Sequence, residues 1–225
     1  MPTIVFDVNE TLLDLAALDT HFERIFGHAS VKGDWFKQVL QSALVATIIG
    51  QTGETDFGQM ARIALEMTAL RQNVVLTDDD RQAILATMLN LPPHPEVPDA
   101  LQKLKDAGIR IAALTNSSQT AANAQLTNAK LVSYFDKIIS VQSCGKFKPA
   151  LEVYQMAMQV LDEAPENLWL VAAHDWDIAG AQNAGWQGAF VARRGMVVAP
   201  QVKQPEIIGK DMTSVVDQLL NIMPS

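Results

Sequence analysis

The chain has 225 residues, of which 48% are apolar and 19% charged, and its formal net charge is −8. This composition excludes a disordered chain and predicts either one sizeable α/β domain or a core domain with a smaller insert. The negative charge argues against a nucleic-acid surface, which needs clustered Lys and Arg, although a local site of opposite sign can still bind a small anion.

The cysteine content and the hydropathy of the chain indicate the cell compartment in which we expect the protein. Cys144 is the only cysteine, so neither an intrachain disulfide nor a cysteine-rich metal site can form. The sequence enters a strand-like run at once, without the basic and apolar segments of a signal peptide. No apolar run approaches the ~18 residues of a membrane span. We therefore expect a cytoplasmic protein with no membrane partner.

The first predicted strand, Thr3–Val8, is followed by a long helical insert. Roughly ninety residues separate it from the next strand, far more than one crossover needs. Thr77 precedes three aspartates, which is typical of a helix N-terminus, and a proline cluster that begins at Pro92 marks the return to the core. We predict a core of residues 1–14 and 93–225 around an insert of residues 15–92. Its predicted helices are Leu15–Phe26, Asp34–Ile49, Asp56–Arg71 and Asp78–Leu89.

Strands and helices alternate in the rest of the chain. The apolar runs predict the strands Ile109–Thr115, Lys137–Val141, Leu168–Ala173 and Gly188–Ala192. Helical patterns separate or precede them at Glu96–Ala107, Ser117–Ala129, Leu151–Leu161 and Ile178–Ala184. Gly108 and Gly185 stand where helix C-caps belong. This alternation predicts an α/β fold with a doubly wound parallel sheet and right-handed crossovers.

Chemically active side chains follow four of the predicted strands. They are Asp7, then Thr115 with Asn116, then Lys148, then His174 with Asp175 and Asp177. The carboxyl ends of parallel strands meet at one edge of the sheet, where ligands bind. Each residue taken alone could be a turn former or a solvated charge. Together they can supply a carboxylate nucleophile, a lysine that keeps it ionised, and donors for an anion.

Four segments resemble the ordered motifs of the haloacid dehalogenase superfamily: "FDVNETLLD", "ALTNSS", "KFKPALEVYQMA" and "WLVAAHDWDIAGAQNAGW". Within it, the chain most resembles the type II (S)-2-haloacid dehalogenases. The resemblance implies the strand order 5-4-1-2-3, with Asp7 on the central strand and the insert as a helical cap domain. It also implies metal-independent hydrolysis of small 2-haloacids to 2-hydroxy acids, with no cofactor, and a possible homodimer.

Two residues separate this hypothesis from a Mg²⁺-dependent phosphatase of the same superfamily. Such a phosphatase needs an acid two residues after the nucleophile to protonate the leaving alcohol, and Asn9 stands there. It also uses a metal-ligating acid where this chain has Ala173, although the nearby Asp175 could partly substitute. A halide leaving group needs neither, which favours the dehalogenase. A catalytically silent binding protein of the same fold remains a third hypothesis.

The resemblance assigns roles to individual residues. Asp7 would attack the carbon that bears the halogen, and Thr11 would orient it. Thr115 and Asn116 would grip the substrate carboxylate. Lys148 matches the lysine of the third motif, and Tyr154 matches a tyrosine of the same motif. Asp177 matches the acid of the fourth motif, which helps to position the lysine and the hydrolytic water.

The sequence also departs from the family at the pocket. A cap arginine that follows a tryptophan and holds the halide is replaced by Phe36. Asn9 replaces an aromatic residue, and His174 replaces an asparagine. We hypothesise that His174 donates a proton or hydrogen bond to the halide or activates water, with a buried structural histidine as the alternative. We also expect Asn9, Phe36, Tyr154 and Trp176 to contact the substrate, with packing in the core as the alternative for Phe36 and Trp176.

Overall fold

The core is one parallel sheet of six strands, as seen in a computed structural model that describes residues 2–52 and 55–222. The strands are β1 (Thr3–Phe6), β2 (Arg110–Thr115), β3 (Lys137–Ser140), β4 (Leu168–Ala172), β5 (Gln187–Val191) and β6 (Ile207–Gly209). Their order across the sheet is β3-β2-β1-β4-β5-β6, with every neighbouring pair parallel. β1, β2 and β4 are almost wholly buried, as their continuous apolar sequences require of a sheet covered on both faces.

The predicted α/β fold is confirmed, and the predicted order 5-4-1-2-3 is the order observed for the first five strands. Each of the five lies within one or two residues of its predicted bounds. β6 was not predicted, because it has only three residues and Ile208, at its centre, is exposed. It lengthens the sheet beyond β5, away from the central strand.

Nine α-helices lie within the described residues: α1 (Asp19–Phe26), α2 (Val31–Ile49), α3 (Phe57–Gln72), α4 (Asp78–Leu89), α5 (Val97–Asp106), α6 (Gln119–Asn128), α7 (Leu151–Leu161), α8 (Asp175–Asn183) and α9 (Met212–Ile222). α9 was not predicted. The helix predicted from Leu15 to Phe26 divides into a 3-10 turn, Leu15–Leu18, and α1. α8 begins three residues before the predicted Ile178, because two aspartates occupy its first turn, where the helix dipole favours them.

The helical insert α1–α4 leaves the core and returns to it through two adjacent linkers. Asp14 N–H donates to the Pro92 carbonyl at 2.8 Å, and His94 N–H donates to the Leu12 carbonyl at 2.9 Å. The predicted N-cap at Thr77 is confirmed, since its hydroxyl and the Asp80 carboxylate form a capping box. These contacts support the predicted division at residues 14/15 and 92/93, which stays a prediction.

Aromatic rings pack together inside the insert, within a buried apolar cluster that continues into the core. The Trp35 ring packs on Phe22 and Phe36, with centroid distances of 5.3 and 6.0 Å, and its indole N–H donates to the Ala61 carbonyl. Leu65 and Ile84 are fully buried against the same cluster. None of the described helices is long and apolar enough to cross a membrane.

Candidate active site

Asp7 lies immediately after the central strand and is the focus of a buried polar cluster. Its backbone N–H continues the sheet by donating to the Val171 carbonyl at 3.0 Å. The chain then turns sharply, which brings the Thr11 hydroxyl within 2.7 Å of Asp7 Oδ2. That hydroxyl also accepts the Ala173 N–H from the end of β4, at 2.9 Å. The Thr11 hydroxyl therefore donates a hydrogen bond to Asp7 and holds that carboxylate in one orientation.

Lys148 bridges two carboxylates at the strand edge. Its Nζ lies 2.8 Å from Asp7 Oδ1 and 2.6 Å from Asp177 Oδ2, and its side chain is only 1% exposed. The Lys148 backbone N–H donates to Asn116 Oδ1 at 2.9 Å, which ties the lysine's loop to the end of β2. Four predicted site residues from four separate strand ends are thus in one constellation.

Opposing effects of burial and charge set the ionisation of this cluster. Burial raises the pKa of the Asp7 carboxyl, but the Lys148 charge and the His174 hydrogen bond outweigh burial and hold that pKa below its usual range. Burial lowers the pKa of Lys148, and the charges of Asp177 and Asp7 more than reverse this. Burial, opposed by Lys148, leaves the pKa of Asp177 raised. Asp7 is therefore ionised, as a nucleophile must be.

Tyr154 lies behind Asp177. Its hydroxyl donates to Asp177 Oδ1 at 2.6 Å, and the residue is fully buried. Burial and the Asp177 charge raise the pKa of the phenol well above its ordinary value, so it stays a donor. The sequence-based expectation that Tyr154 binds substrate does not match this position, because its hydroxyl is used to orient Asp177.

Because Gly180 of α8 has no side chain, Tyr154 and Pro149 can pack directly against the helix at this position. A Cβ at residue 180 would lie 2.5 Å from the Tyr154 hydroxyl and 2.7 Å from Pro149 Cβ. We expect Gly180→Ala to lower the free energy of unfolding by about 1–3 kcal/mol and to reduce turnover, because both neighbours must move away from the lysine loop. Urea denaturation and steady-state kinetics measure the two effects.

The matched control for this helix glycine is Gly33→Ala in α2, where a Cβ would meet nothing within 4 Å. We expect this variant to be more stable by about 0.5–1 kcal/mol, since alanine suits a helix interior better than glycine. Equal behaviour of the two variants would contradict the packing argument at Gly180.

His174 forms a second charged pair on the other side of Asp7. Its Nδ1 lies 3.1 Å from Asp7 Oδ2, and its Nε2 lies 2.9 Å from Glu10 Oε2. The Trp176 ring stacks on the imidazole with a centroid distance of 5.0 Å. Burial alone would lower the pKa of His174, but the hydrogen bonds to Asp7 and Glu10 raise it to about 10. His174 is therefore an imidazolium at neutral pH.

Glu10 is a site residue that the sequence analysis missed. It has a positive φ of 62°, a left-handed conformation that non-glycine residues rarely adopt. The turn is held by the Arg193 guanidinium, which donates to the Thr11 carbonyl at 2.9 Å. An ionisable residue in this tight turn, three positions after the predicted nucleophile, was the available signal.

The polar side-chain atoms of Asn9 and Thr115 form hydrogen bonds within the protein. Asn9 Oδ1 accepts a hydrogen bond from Gln125 at 3.1 Å, and its amide lies 3.5 Å from the Ser117 hydroxyl. The Thr115 hydroxyl accepts the Ser117 N–H at 3.2 Å and is buried. Their predicted contacts with substrate have no support in this geometry, since these polar atoms already have protein partners.

A cavity of about 260 Å³ opens beside Lys148 and Trp176. The side of α2 that faces it contributes Lys37, Leu40, Gln41 and Leu44. Phe36 is not part of this wall: it is buried against Trp35 and Phe57 in the centre of the insert. The expected contact of Phe36 with substrate is thus not seen, and its neighbour Lys37 supplies a cation at this wall.

Asp175 faces away from the nucleophile. Its Oδ1 accepts the Trp176 N–H at 2.8 Å and its Oδ2 accepts the Ala199 N–H at 3.1 Å. Among the described residues no cluster of three or more His, Cys, Asp or Glu side chains is arranged to hold a metal ion. Asp175 therefore stabilises the start of α8 and the loop at Ala199, in place of the metal-ligating role that the sequence left open.

Comparison with known proteins agrees with this geometry. The family model of the haloacid dehalogenase-like hydrolases matches residues 1–185. The chain belongs to this family. An (S)-2-haloacid dehalogenase from Xanthobacter autotrophicus is 30% identical over 193 residues, which cover 84% of this chain and 74% of that protein. An (S)-2-haloacid dehalogenase from Pseudomonas fluorescens is 26% identical over 219 residues, 96% of each protein.

Solved structures of haloacid dehalogenase-like hydrolases share the fold. The L-2-haloacid dehalogenase of Xanthobacter autotrophicus with chloropropionic acid covalently bound superimposes with a TM-score of 0.90 at 22% identity. The match covers 99% of this chain and 100% of that one, so it includes the helical insert. The predicted family and fold are confirmed.

Proposed function

We propose that this hydrolase removes halide from small 2-haloacids through an ester on Asp7, without a metal ion. The observation that carries the proposal is the ionised, buried Asp7 carboxylate, held by Thr11 and Lys148 beside a small cavity. The (S)-2-haloacid dehalogenases to which the chain is similar support the choice of substrate class.

The first step is attack by Asp7 on the carbon that bears the halogen. The carboxylate displaces halide with inversion, and an ester forms between Asp7 and the substrate. Burial makes the anion a stronger nucleophile because water no longer solvates it, while Thr11 fixes its direction. A halide is a stable anion when it leaves, so this step uses no acid.

The second step is hydrolysis of the ester by water at the Asp7 carbonyl. One proton of the water goes to the oxygen that leaves as the 2-hydroxy acid, and Asp7 returns to its ionised form. Lys148 and Asp177 hold the site through this step, since their contact of 2.6 Å does not depend on the charge of Asp7.

The cavity supports a small anionic substrate. Its volume of about 260 Å³ is below the range of about 300–1,000 Å³ that is common for drug-sized ligands. Lys37 adds a cation to the wall, opposite in sign to the net charge of the chain. Trp176 and Leu40 give the same wall apolar surface for the carbon chain and the halogen.

The structure does not favour the alternative phosphatase function. Asn9, which stands at the position of a phosphatase's acid, is bonded to Gln125. Asp175, the substitute metal ligand, is bonded to backbone N–H groups. The buried cluster also argues against a silent binding protein, because buried ionised groups cost folding free energy and groups of this kind are concentrated at functional sites.

We expect the protein to release halide from (S)-2-chloropropionate, chloroacetate or fluoroacetate in the presence of EDTA. The measurement is halide by ion chromatography, with p-nitrophenyl phosphate plus Mg²⁺ as the matched assay for phosphatase activity. Release that survives EDTA supports the proposed reaction. Phosphate release with Mg²⁺ and no halide from any acid would overturn it in favour of the phosphatase.

We also propose a cytoplasmic homodimer. Exposed apolar side chains lie along the insert on α2 and α3, with Val45, Ile48 and Ile63 exposed by 48, 81 and 47%. Apolar surface of this kind favours association with a second copy. Sedimentation equilibrium over a range of concentrations tests it, and a monomer throughout would refute the dimer.

A further inference from the structure

The two oxygens of Asp7 have different environments. Oδ1 faces one donor, the Lys148 ammonium at 2.8 Å. Oδ2 has two donors, the Thr11 hydroxyl at 2.7 Å and His174 Nδ1 at 3.1 Å. A carboxylate oxygen has about two lone pairs, so those of Oδ2 are already engaged. Oδ1 keeps a free lone pair, which makes it the attacking oxygen.

This assignment makes Oδ2 the carbonyl oxygen of the ester that Asp7 forms in the proposed reaction. When water adds to the Asp7 Cγ, the negative charge develops on Oδ2. Donors at 2.7–3.1 Å from that atom are at the distances of an oxyanion hole, and they are in place before the reaction begins.

We propose that His174, held as a cation by Glu10, forms with Thr11 the oxyanion hole for hydrolysis of the Asp7 ester. This inference rests on the proposed function and adds a positioning residue, Glu10, to it. His174 touches the reacting atom, whereas Glu10 acts only through the imidazole. The two ring nitrogens are both directed at carboxylates, so the ring has no N–H left to donate to a halide.

The charges of the site explain why Glu10 is needed. In the resting enzyme two cations, Lys148 and His174, lie among three carboxylates, Asp7, Glu10 and Asp177. Ester formation removes the charge of Asp7. Lys148 then remains paired with Asp177, and His174 remains paired with Glu10. Without Glu10 the imidazolium would lose its last anionic contact at the moment when its charge is needed.

The backbone of Glu10 supports a functional origin of this contact. Its φ of 62° is a conformation that favours glycine, and the side chain is 22% exposed, so burial of the residue does not explain its presence. In this strained position the Glu10 carboxylate lies 2.9 Å from His174 Nε2.

The step balances without an added base at His174. The water lone pair forms the new bond to Cγ, and the carbonyl pair moves onto Oδ2, where Thr11 and His174 stabilise it. The pair then returns as the bond from Cγ to Oδ1 breaks. One water proton ends on Oδ1 of the 2-hydroxy acid and the other goes to solvent as Asp7 ionises. His174 keeps its proton throughout.

The test is a comparison of the two chemical steps in Glu10→Gln and His174→Gln. The halide burst from a single turnover reports ester formation, steady-state halide release reports hydrolysis, and intact-protein mass spectrometry detects the ester. We expect both variants to keep a burst near one halide per subunit and to lose at least about tenfold in steady-state rate, with the ester accumulating. Glu166→Gln, an exposed acid, is the matched control and should behave as the unmodified protein.

The pH profile separates an oxyanion donor from a base. The pKa of His174 is raised to about 10 in the resting site by Asp7 and Glu10. In the ester the Asp7 charge is gone, so we expect hydrolysis by the unmodified protein to fall as the pH rises into a range below that value, where His174 loses its proton. In Glu10→Gln this fall moves to lower pH, since one stabilising anion is gone. Other charged groups of the described residues line a cavity that Glu10 also borders, and none of them forms a hydrogen bond with the imidazole, so we expect them to move the profile little. They are Asp14, Asp19, Lys32, His94, Arg193, Arg194 and Lys210.

Three results would overturn the proposal while leaving the proposed function standing. One is a rate that falls at low pH with an apparent pKa that His174→Gln removes, which indicates a base. Another is equal slowing of both steps without ester accumulation. The third is full hydrolysis in Glu10→Gly, whose turn is relieved of strain but has no carboxylate. If the unmodified protein releases no halide from any substrate, the proposed function itself fails.

Discussion

Replacing Asp7 by Asn is expected to lower halide release by at least about 10⁴-fold while the protein stays folded, because an amide is too weak a nucleophile to displace halide. Asn has nearly the same shape, and its amide oxygen can still accept the Thr11 hydroxyl that lies 2.7 Å from Asp7 Oδ2. The loss of one negative charge leaves Lys148 paired with Asp177 and His174 paired with Glu10. Single-turnover halide release and thermal unfolding measure both properties.

Asp106→Asn is the control for Asp7→Asn. Asp106 is exposed on the surface of α5, where it accepts a hydrogen bond from Gln102, and within the described part of the chain it forms no hydrogen bond with the residues around Asp7. Halide release at the unmodified rate in the control and none in Asp7→Asn supports the nucleophile. Residual release by Asp7→Asn at a large fraction of the unmodified rate would show that another group attacks the substrate.

Lys148→Met is expected to abolish turnover and to lower the free energy of unfolding by about 3–5 kcal/mol at pH ~7, because two buried carboxylates lose their shared cation. Asp7 and Asp177 then repel each other and their pKa values rise. Carboxylates with raised pKa values stabilise the folded state at low pH and lose this contribution as the pH increases. The loss of stability should therefore be smaller near pH ~4 than near pH ~7, as urea denaturation at each pH will measure.

Lys146→Met is the matched control, since Lys146 lies two residues away and pairs with Glu152 on the surface. Exposed pairs contribute about 0–1 kcal/mol, so this variant should lose little at either pH. In the unmodified protein Asp7 has a lowered pKa, and its contribution to stability is present above pH ~4 and lost as the pH falls. Equal losses for the two lysine variants would contradict the buried bridge.

The sheet and the position of the nucleophile could be predicted because they depend on local patterns. Continuous apolar runs indicate buried parallel strands, and the carboxyl ends of such strands meet at one edge. Asp7, Lys148 and His174 follow three different strands in sequence, so their meeting was predictable without side-chain detail. β6 was beyond this method because it is very short. α9 comes after β6, and the irregular segment of residues 192–206 separates both from the last predicted strand.

The contacts of the remaining site residues could not be predicted, because they depend on side-chain direction between distant segments. Asn9 is bonded to Gln125, which is 116 residues away in sequence. Phe36 turns into the centre of the insert, whereas the next residue, Lys37, reaches the cavity wall. Glu10 was overlooked because its chemistry arises only from the ring of His174, 164 residues along the chain.

Gln125 connects the residue beside the nucleophile to the helical insert. The same amide that bonds Asn9 donates to the Met88 carbonyl at the end of α4, at 2.8 Å, and both partners are buried. At the other flank, the Phe147 N–H donates to the Thr47 hydroxyl of α2 at 3.1 Å, and the Thr52 hydroxyl donates to the Gly145 carbonyl. The first of these bonds is partly open to solvent and the second is exposed. Separation costs more at the α4 flank than at the α2 flank, since buried hydrogen bonds are expensive to leave unmade. We therefore expect the insert to separate from the core more readily beside α2, where Lys37 lines the cavity, than beside α4.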